Sequence, residues 1–433
     1  MKNELDKQPI DGELRRLCGL QLLVALFAAA QIGTSFRLWT PQSEFPQVPV
    51  IQGFVWPDFM AWLLLSGVGI AIVGQFVGAC RGTASRWAAL MFLLTTGGLL
   101  LEDQHRAQPW MIHYLWISVL ILIGRPRRTL TLVLTLTASL YVYSAISKAN
   151  LMFLEQHGQV ILSGLFRSLS LDLDRIPEAI RRLLIAGFPV GECMIAVGLL
   201  IPRTRQLATF VAMIMHGLLI LTFSSRGLNH EWSVLLWNGF FLTQALLLWV
   251  IPERHRKSDQ VISLTSPHRR DWIKRSMVVL LWSFPILRLT GHLDQWVGWS
   301  LYSPREVVVR VFLKEPPDQI DKEFPDFTSA PYQWIQGEAG QLAFVSDRWS
   351  IAELHVPLNP EPRIEFAVAW ALCEKYDCWD QLTLVVERRD LMSTTERESE
   401  QFSGRAELEE LSRQFHLPTQ SNHRFLDGNE LAQ

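Results

Sequence analysis

Charge is scarce in this sequence. Asp, Glu, Lys and Arg make up 19% of its 433 residues, where a soluble domain carries about a quarter. The two signs nearly cancel, leaving a formal charge of −2. That balance excludes the basic footprint of a nucleic-acid binder, so no nucleic-acid partner is expected. Cysteine is sparse too: Cys18, Cys80, Cys193, Cys373 and Cys378. No two are spaced as Cys-x-x-Cys and no second pair stands at zinc spacing, so no metal site and no thioredoxin-type motif are expected. No internal repeat occurs at a period of roughly 20–50 residues, which excludes solenoids and propellers. The C-terminal part has no nucleophile elbow, phosphate loop or zinc signature.

Apolar residues are abundant, at 49% of the chain, and they lie in blocks. A hydrocarbon layer of roughly 30 Å takes about 20 helical residues to cross. Blocks of about that length predict spans at 17–37, 58–80, 87–102, 110–124, 129–148, 179–201, 206–224, 231–251 and 273–291. The third and fourth are short, and Arg288 interrupts the ninth. The 17 tryptophans suit interfacial belts as well as cores. Cys18, Cys80 and Cys193 fall inside apolar blocks and read as small apolar side chains. A cleavable signal peptide is the rival reading of the first block, with Ala28-Ala29-Ala30 as the cut. The long, acid-containing stretch before it favours an uncleaved helix.

Lys and Arg counts set an orientation. With nine spans, the N-terminus shares a side with Arg81, Arg86, Arg125, Arg127, Arg128, Arg203 and Arg205. The basic loop with Arg254, Arg256, Lys257, Arg269, Arg270, Lys274 and Arg275 falls there as well. The opposite side receives 39–57, with no Lys or Arg, and the turns at 103–109 and 225–230, with Arg106 and Arg226 alone. The expected protein is an all-α polytopic helix bundle of about nine spans in the cell membrane, ending in a small C-terminal α/β soluble domain. Residues 1–16 form a cytoplasmic N-terminus, 17–292 the bundle and 293–433 the extracytoplasmic domain.

Segment 149–178 carries Leu162, Leu165, Phe166 and Leu169 at helical spacing. An amphipathic helix at the interface or a folded outer loop fits it. In the tail, 307–313, 341–345, 364–370 and 382–386 read as strands, separated by turns such as Pro316-Pro317 and 357–362. The last forty or so residues are polar, with a helical stretch at 407–414, and read as a loosely docked or disordered end. Cys373 and Cys378 are a disulfide candidate if the tail faces an oxidising compartment.

Ionisable groups within or beside spans are costly, which makes each a functional candidate. Lys148 ends the fifth span; it either snorkels to headgroups or sits desolvated as a neutral amine able to act as a base. His113 follows Trp110 at the start of the fourth span, after a polar turn that includes Arg106. His216 lies deep in the seventh span and Glu192 deep in the sixth, where a helix–helix hydrogen bond is the plain alternative. His230 opens the eighth. The span count places Arg106, His113, Lys148 and His230 at the outer face, near Tyr141, His216 and Glu192. One outward pocket with apolar walls follows, suited to a lipid-soluble ligand with a polar head such as a quinone.

The motifs Trp110-x-x-His113 and Tyr141-x-x-Ser-Ala-x-x-Lys148, on this span pattern, resemble the HTTM-type membrane domain shared with vitamin K-dependent gamma-carboxylases. The similarity covers roughly residues 15–290. Pro189-x-x-Glu192 and the small bundle look somewhat like the DoxX and MauE group. The carboxylase resemblance implies that Lys148 deprotonates a hydroquinone, that oxygenation yields a strong base, and that a peptide glutamate loses a proton and takes up carbon dioxide. It implies a supporting role for His113 and, by a weaker match, for His216. The chain departs from the family in two ways: only about 140 residues follow the last span, and Ser147 stands where the eukaryotic pattern has a second lysine.

Three readings result. A quinone-linked enzyme would bring Lys148 and His113 to one cavity. A non-catalytic membrane protein would bind an extracytoplasmic partner through its tail, with Lys148 at the headgroups. A transporter would show broken helices or inverted repeats.

Overall fold

The computed structural model describes residues 8–250, 272–314, 341–393 and 397–427, together with Ile320 and the pair Thr328–Ser329. The first seven residues, most of the basic loop at 251–271, the Pro316-Pro317 turn and residues 428–433 lie outside the described residues. The described chain divides into two compact units. One comprises 1–33, 67–94 and 109–304; the other comprises 34–66, 95–108 and 305–433. Two stretches from the first quarter of the chain thus belong with the C-terminal part, whereas the sequence was divided at 292.

In the first unit, helices α1 (Gln8–Thr34), α2 (Asp58–Cys80), α3 (Arg86–Glu102), α4 (Pro109–Ile123) and α5 (Pro126–Lys148) follow in order. Then come α6 (Gly158–Ser168), α7 (Glu178–Leu200), α8 (Arg205–Phe223) and α9 (Trp232–Ala245). The unit closes with α10 (Trp272–Ser283) and the short α11 (Ile286–Leu289). The start of α2 and the end of α3 belong to the second unit.

Six of these helices are long and apolar enough to cross a membrane: α1, α2, α5, α7, α8, and α9 with its π-helical extension. The structure therefore supports six membrane-length helices; nine full spans are not established. α3 has 17 residues and α4 has 15. Within the expected ninth span, α10 ends at Ser283 and Pro285 starts α11; the residues before Trp272 lie outside the described ones. Proline, lacking an N–H, cannot continue the helical ladder across that point.

Burial separates a central helix from peripheral ones. In α5, 78% of the apolar window is buried, against 22% in α7 and 28% in α2. The peripheral helices expose Leu63, Ile70, Leu183, Met194, Leu207 and Ile214, side chains that a hydrocarbon solvent accepts without cost. With no hydrophobic drive between helices in lipid, polar threads join them. Ser139 donates to the Leu281 carbonyl at 2.7 Å, and Tyr143 donates to the Trp282 carbonyl. Gln244 donates to Thr137 at 3.1 Å, and Tyr114 donates to Gln31 at 2.6 Å. Segment 149–178 contributes a π-turn at Phe153–His157 followed by α6. Its Ile161 and Leu162 are buried with Phe153 and Ile185, so the apolar face of α6 is packed inside the unit.

The second unit holds a five-stranded antiparallel sheet, built from β1 (Val307–Lys314), β2 (Thr328–Ser329), β3 (Gln341–Phe344), β4 (Leu382–Arg389) and β5 (Arg397–Ser403). The strand order is β2-β3-β1-β4-β5. Helices α12 (Ser346–Leu354), α13 (Pro362–Tyr376), α14 (Gly404–Ser412) and α15 (His423–Asp427) complete it. The strand expected at 364–370 is instead the middle of α13. Residues 363–373 are buried on every side, so no periodicity marks a face; alanines and Pro362 at the first turn favour the helix. The polar end is also more ordered than expected, since β5 pairs along β4 and Leu408, Leu411 and Phe425 are buried. Cys373 and Cys378, the disulfide candidate, are both buried, with Sγ atoms 3.9 Å apart.

Candidate functional site

Lys148 ends α5 with its side chain turned back into the bundle. Its Nζ donates to Ser144 Oγ at 2.5 Å and to the Ser144 carbonyl at 3.2 Å, one turn earlier. From α7, both carboxylate oxygens of Glu192 lie 2.9 Å from the same nitrogen. The side chains are 3% and 12% exposed. Three ammonium protons thus face four oxygens, and the group is one half of a buried ion pair. That differs from the snorkelling expectation for Lys148. Pro189 lies inside α7 one turn before Glu192, where it removes a ladder hydrogen bond.

A second polar chain runs alongside. Tyr141, two turns before Lys148, has its hydroxyl 2.7 Å from His216 Nε2 on α8. His216 Nδ1 is 2.9 Å from Asn238 Oδ1 on α9, and Asn238 Nδ2 donates to the Val234 carbonyl at 2.9 Å. Phe241 stacks on the imidazole at 4.8 Å and 5°. The Tyr302 ring stacks on Phe223 at 4.8 Å. Tyr302 and Trp299 both have left-handed backbone, at φ 53° and 63°, uncommon for bulky residues. Strain of this kind persists where surrounding contacts over-determine it.

These groups enclose one cavity of about 40 Å³. Its polar lining is Tyr141, Ser144, Lys148, Glu192, His216, Asn238 and Tyr302, and its apolar walls include Leu140, Phe153, Ile161, Phe188 and Phe241. A water needs about 10–15 Å³ of such space, so the cavity suits about three waters or a small polar head.

Of the residues singled out in the sequence, the cavity gathers Lys148, Tyr141, Glu192 and His216. It does not include His113. That imidazole is buried, stacks on Phe241 at 5.0 Å and accepts at Nδ1 from Trp237 Nε1 at 3.3 Å; its Nε2 has no hydrogen-bond partner. Trp110 is buried against Tyr114 rather than at the cavity, and His230 lies edge-on to Phe223. Arg106 belongs to the second unit. Its guanidinium is spent on the Leu38, Leu99 and Thr40 carbonyls and on Glu102, which is a structural role. Sequence reasoning missed Asn238 and Tyr302, and it quoted Ser144 in the Tyr141-to-Lys148 motif without giving it a role. An amide inside an apolar span was a readable signal for Asn238; nothing marked Tyr302.

The dense polar turn at 103–108 is a structural knot of the second unit. His105 Nε2 lies 2.9 Å from Ser350 Oγ, and its Nδ1 accepts from the Asn359 N–H at 3.1 Å. Burial lowers His105 to about 3. Burial likewise pushes the Asp103 carboxyl up to about 6, against the opposing pull of Arg106. Among the described residues, no group of three or more His, Cys, Asp or Glu could hold a metal. No family model, curated protein or solved structure matches the chain.

Proposed function

We propose that the chain is an integral protein of the cell membrane whose bundle carries an acid–base site for the polar head of a lipid-soluble ligand. The reading keeps the N-terminus cytoplasmic and the sheet-bearing part outside, and it rests for orientation on the Lys and Arg asymmetry alone. One observation carries the functional part: a buried Lys148–Glu192 ion pair and a Tyr141–His216–Asn238 chain face the same small cavity among membrane-length helices. Removing such charges from water costs several kcal/mol per ion, and ionisable groups at that depth mark ligand or proton paths.

The ligand class is a quinol, on the strength of the HTTM and carboxylase resemblance around Lys148. The cavity takes the hydroxyl head. Enzymatic turnover would follow from proton transfer at that head. The test is binding of a water-soluble naphthoquinol to purified protein in nanodiscs, with Lys148→Met as the comparison. Saturable binding that weakens at least tenfold in the variant supports the reading. A folded wild type that binds no quinol sinks it and favours the partner-binding membrane protein.

A further inference from the structure

We infer that the proton acceptor of this cavity is the Tyr141–His216 pair rather than the Lys148 amine, and that Asn238 is the positioning residue that sets the pair. The inference rests on the acid–base reading of the same site. Asn238 Nδ2 donates to the Val234 carbonyl at 2.9 Å, and a carbonyl oxygen can only accept. The amide is thereby fixed, which makes Oδ1 the atom 2.9 Å from His216 Nδ1. An amide oxygen also only accepts, so Nδ1 carries the ring proton and Nε2 the lone pair. Nε2 is 2.7 Å from the Tyr141 hydroxyl, so the phenol donates to the histidine.

The Tyr141 proton is therefore committed to His216, while its oxygen keeps lone pairs for a ligand in the cavity. A ligand hydroxyl that donates to this oxygen can pass its proton there while Tyr141 passes its own to His216 Nε2. The ligand O–H bond breaks, Tyr141 remains a neutral phenol, and His216 becomes an imidazolium still held at Nδ1 by Asn238. The resulting ligand oxyanion shares the cavity with the Lys148 ammonium, which stabilises it. Lys148 cannot itself take that proton while three protons on its nitrogen face Ser144 and Glu192. Phe241, stacked on the imidazole, holds the ring plane so that both nitrogens keep their partners.

Nitrogen NMR of histidine-labelled protein in nanodiscs reads this directly, with His216→Gln identifying the signals. The expected wild-type pattern is a protonated Nδ1 and an unprotonated Nε2, and Asn238→Leu shifts it toward the Nε2-protonated tautomer. A wild type already protonated at Nε2, or an Asn238→Leu protein that keeps the Nδ1 proton, overturns the assignment. Saturating naphthoquinol is then added to wild type, Tyr141→Phe and Lys148→Met. A His216 Nε2 signal that moves toward the protonated position in wild type, and not in Tyr141→Phe, supports the relay. Saturable binding with His216 unchanged overturns it. Absence of quinol binding refutes the ligand class and leaves the Asn238 role decided by the first measurement.

Discussion

Replacing Glu192 by glutamine removes one charge from a pair whose partner side chain is 3% exposed. Lys148 would keep its two contacts to Ser144 and one acceptor in the glutamine amide oxygen, and lose the negative charge and the second 2.9 Å contact. Breaking a buried pair from one side costs about 3–5 kcal/mol, because the remaining charge is stranded. Replacing both groups with apolar residues of similar volume is often neutral or stabilising by about 1–4 kcal/mol. The double variant Lys148→Met/Glu192→Leu should therefore be clearly more stable than Glu192→Gln or Lys148→Met alone. For a unit of this size, about 2–4 °C of melting temperature corresponds to 1 kcal/mol. Each single change should lower the midpoint by about 6–20 °C, with most of that recovered in the double variant. The 17 tryptophans provide the fluorescence signal for melts in nanodiscs. Single shifts below about 2 °C would refute the reasoning, since they would mean that water reaches the pair and screens it as it does at a surface.

Other outcomes follow from the same geometry. Gly158→Ala would place a Cβ 2.2 Å from Ile185 Cγ2 and 2.8 Å from the Phe153 carbonyl, so it should cost about 1–3 kcal/mol, read in the same melts. His113→Phe should leave quinol affinity within about twofold, because Phe241 stands between that ring and His216; a tenfold loss on a binding isotherm would place His113 in the site after all. His105, lowered to about 3 in the fold, titrates at about 6.5 when unfolded. The folded state then binds fewer protons between those values, and stability falls as pH drops through that window. Asp103, raised to about 6, acts oppositely between about 4 and 6, but its shift is smaller. Denaturant unfolding from pH 7 to 4 should show a net loss, flattened by His105→Gln; a steeper loss in that variant would contradict the assignment.

Much of the helical unit was legible because transmembrane-length apolarity is a coarse signal. The ends of α2 and the caps of α5 and α7 fall within a few residues of the expected limits. Within the ninth span Arg288 drew notice, while Pro285, which interrupts the helix between Ser283 and Ile286, did not. Residues 364–370 misled for a different reason: a segment buried on all sides carries no period, so only alanine content and Pro362 spoke for a helix. β5, with a single large apolar residue in Phe402, had no alternation to read. At the cavity, costly residues inside spans were visible one by one, as Lys148, Glu192 and His216 show. Their partners were not, because the pairing of Lys148 with Glu192 and of His216 with Asn238 depends on helix rotation. His113 shows the converse, a conspicuous residue that a ring stack keeps away from the cavity.

Arg424 has a consequence for the order of synthesis. Its guanidinium reaches Glu102 at 2.7 Å across a separation of 322 residues, and also the Trp56 carbonyl and Asp58. Glu102 is buried and is shared with Arg106. At about 5–20 residues per second, Glu102 leaves the ribosome roughly a quarter of a minute to a minute before Arg424 exists. During that interval the early stretches of the second unit lack the strands and the anchor that complete it. The nascent chain must therefore keep 34–66 and 95–108 available, or shielded by a helper, until its last helix arrives. Losing α15 would leave those early stretches without their anchor for the life of the protein.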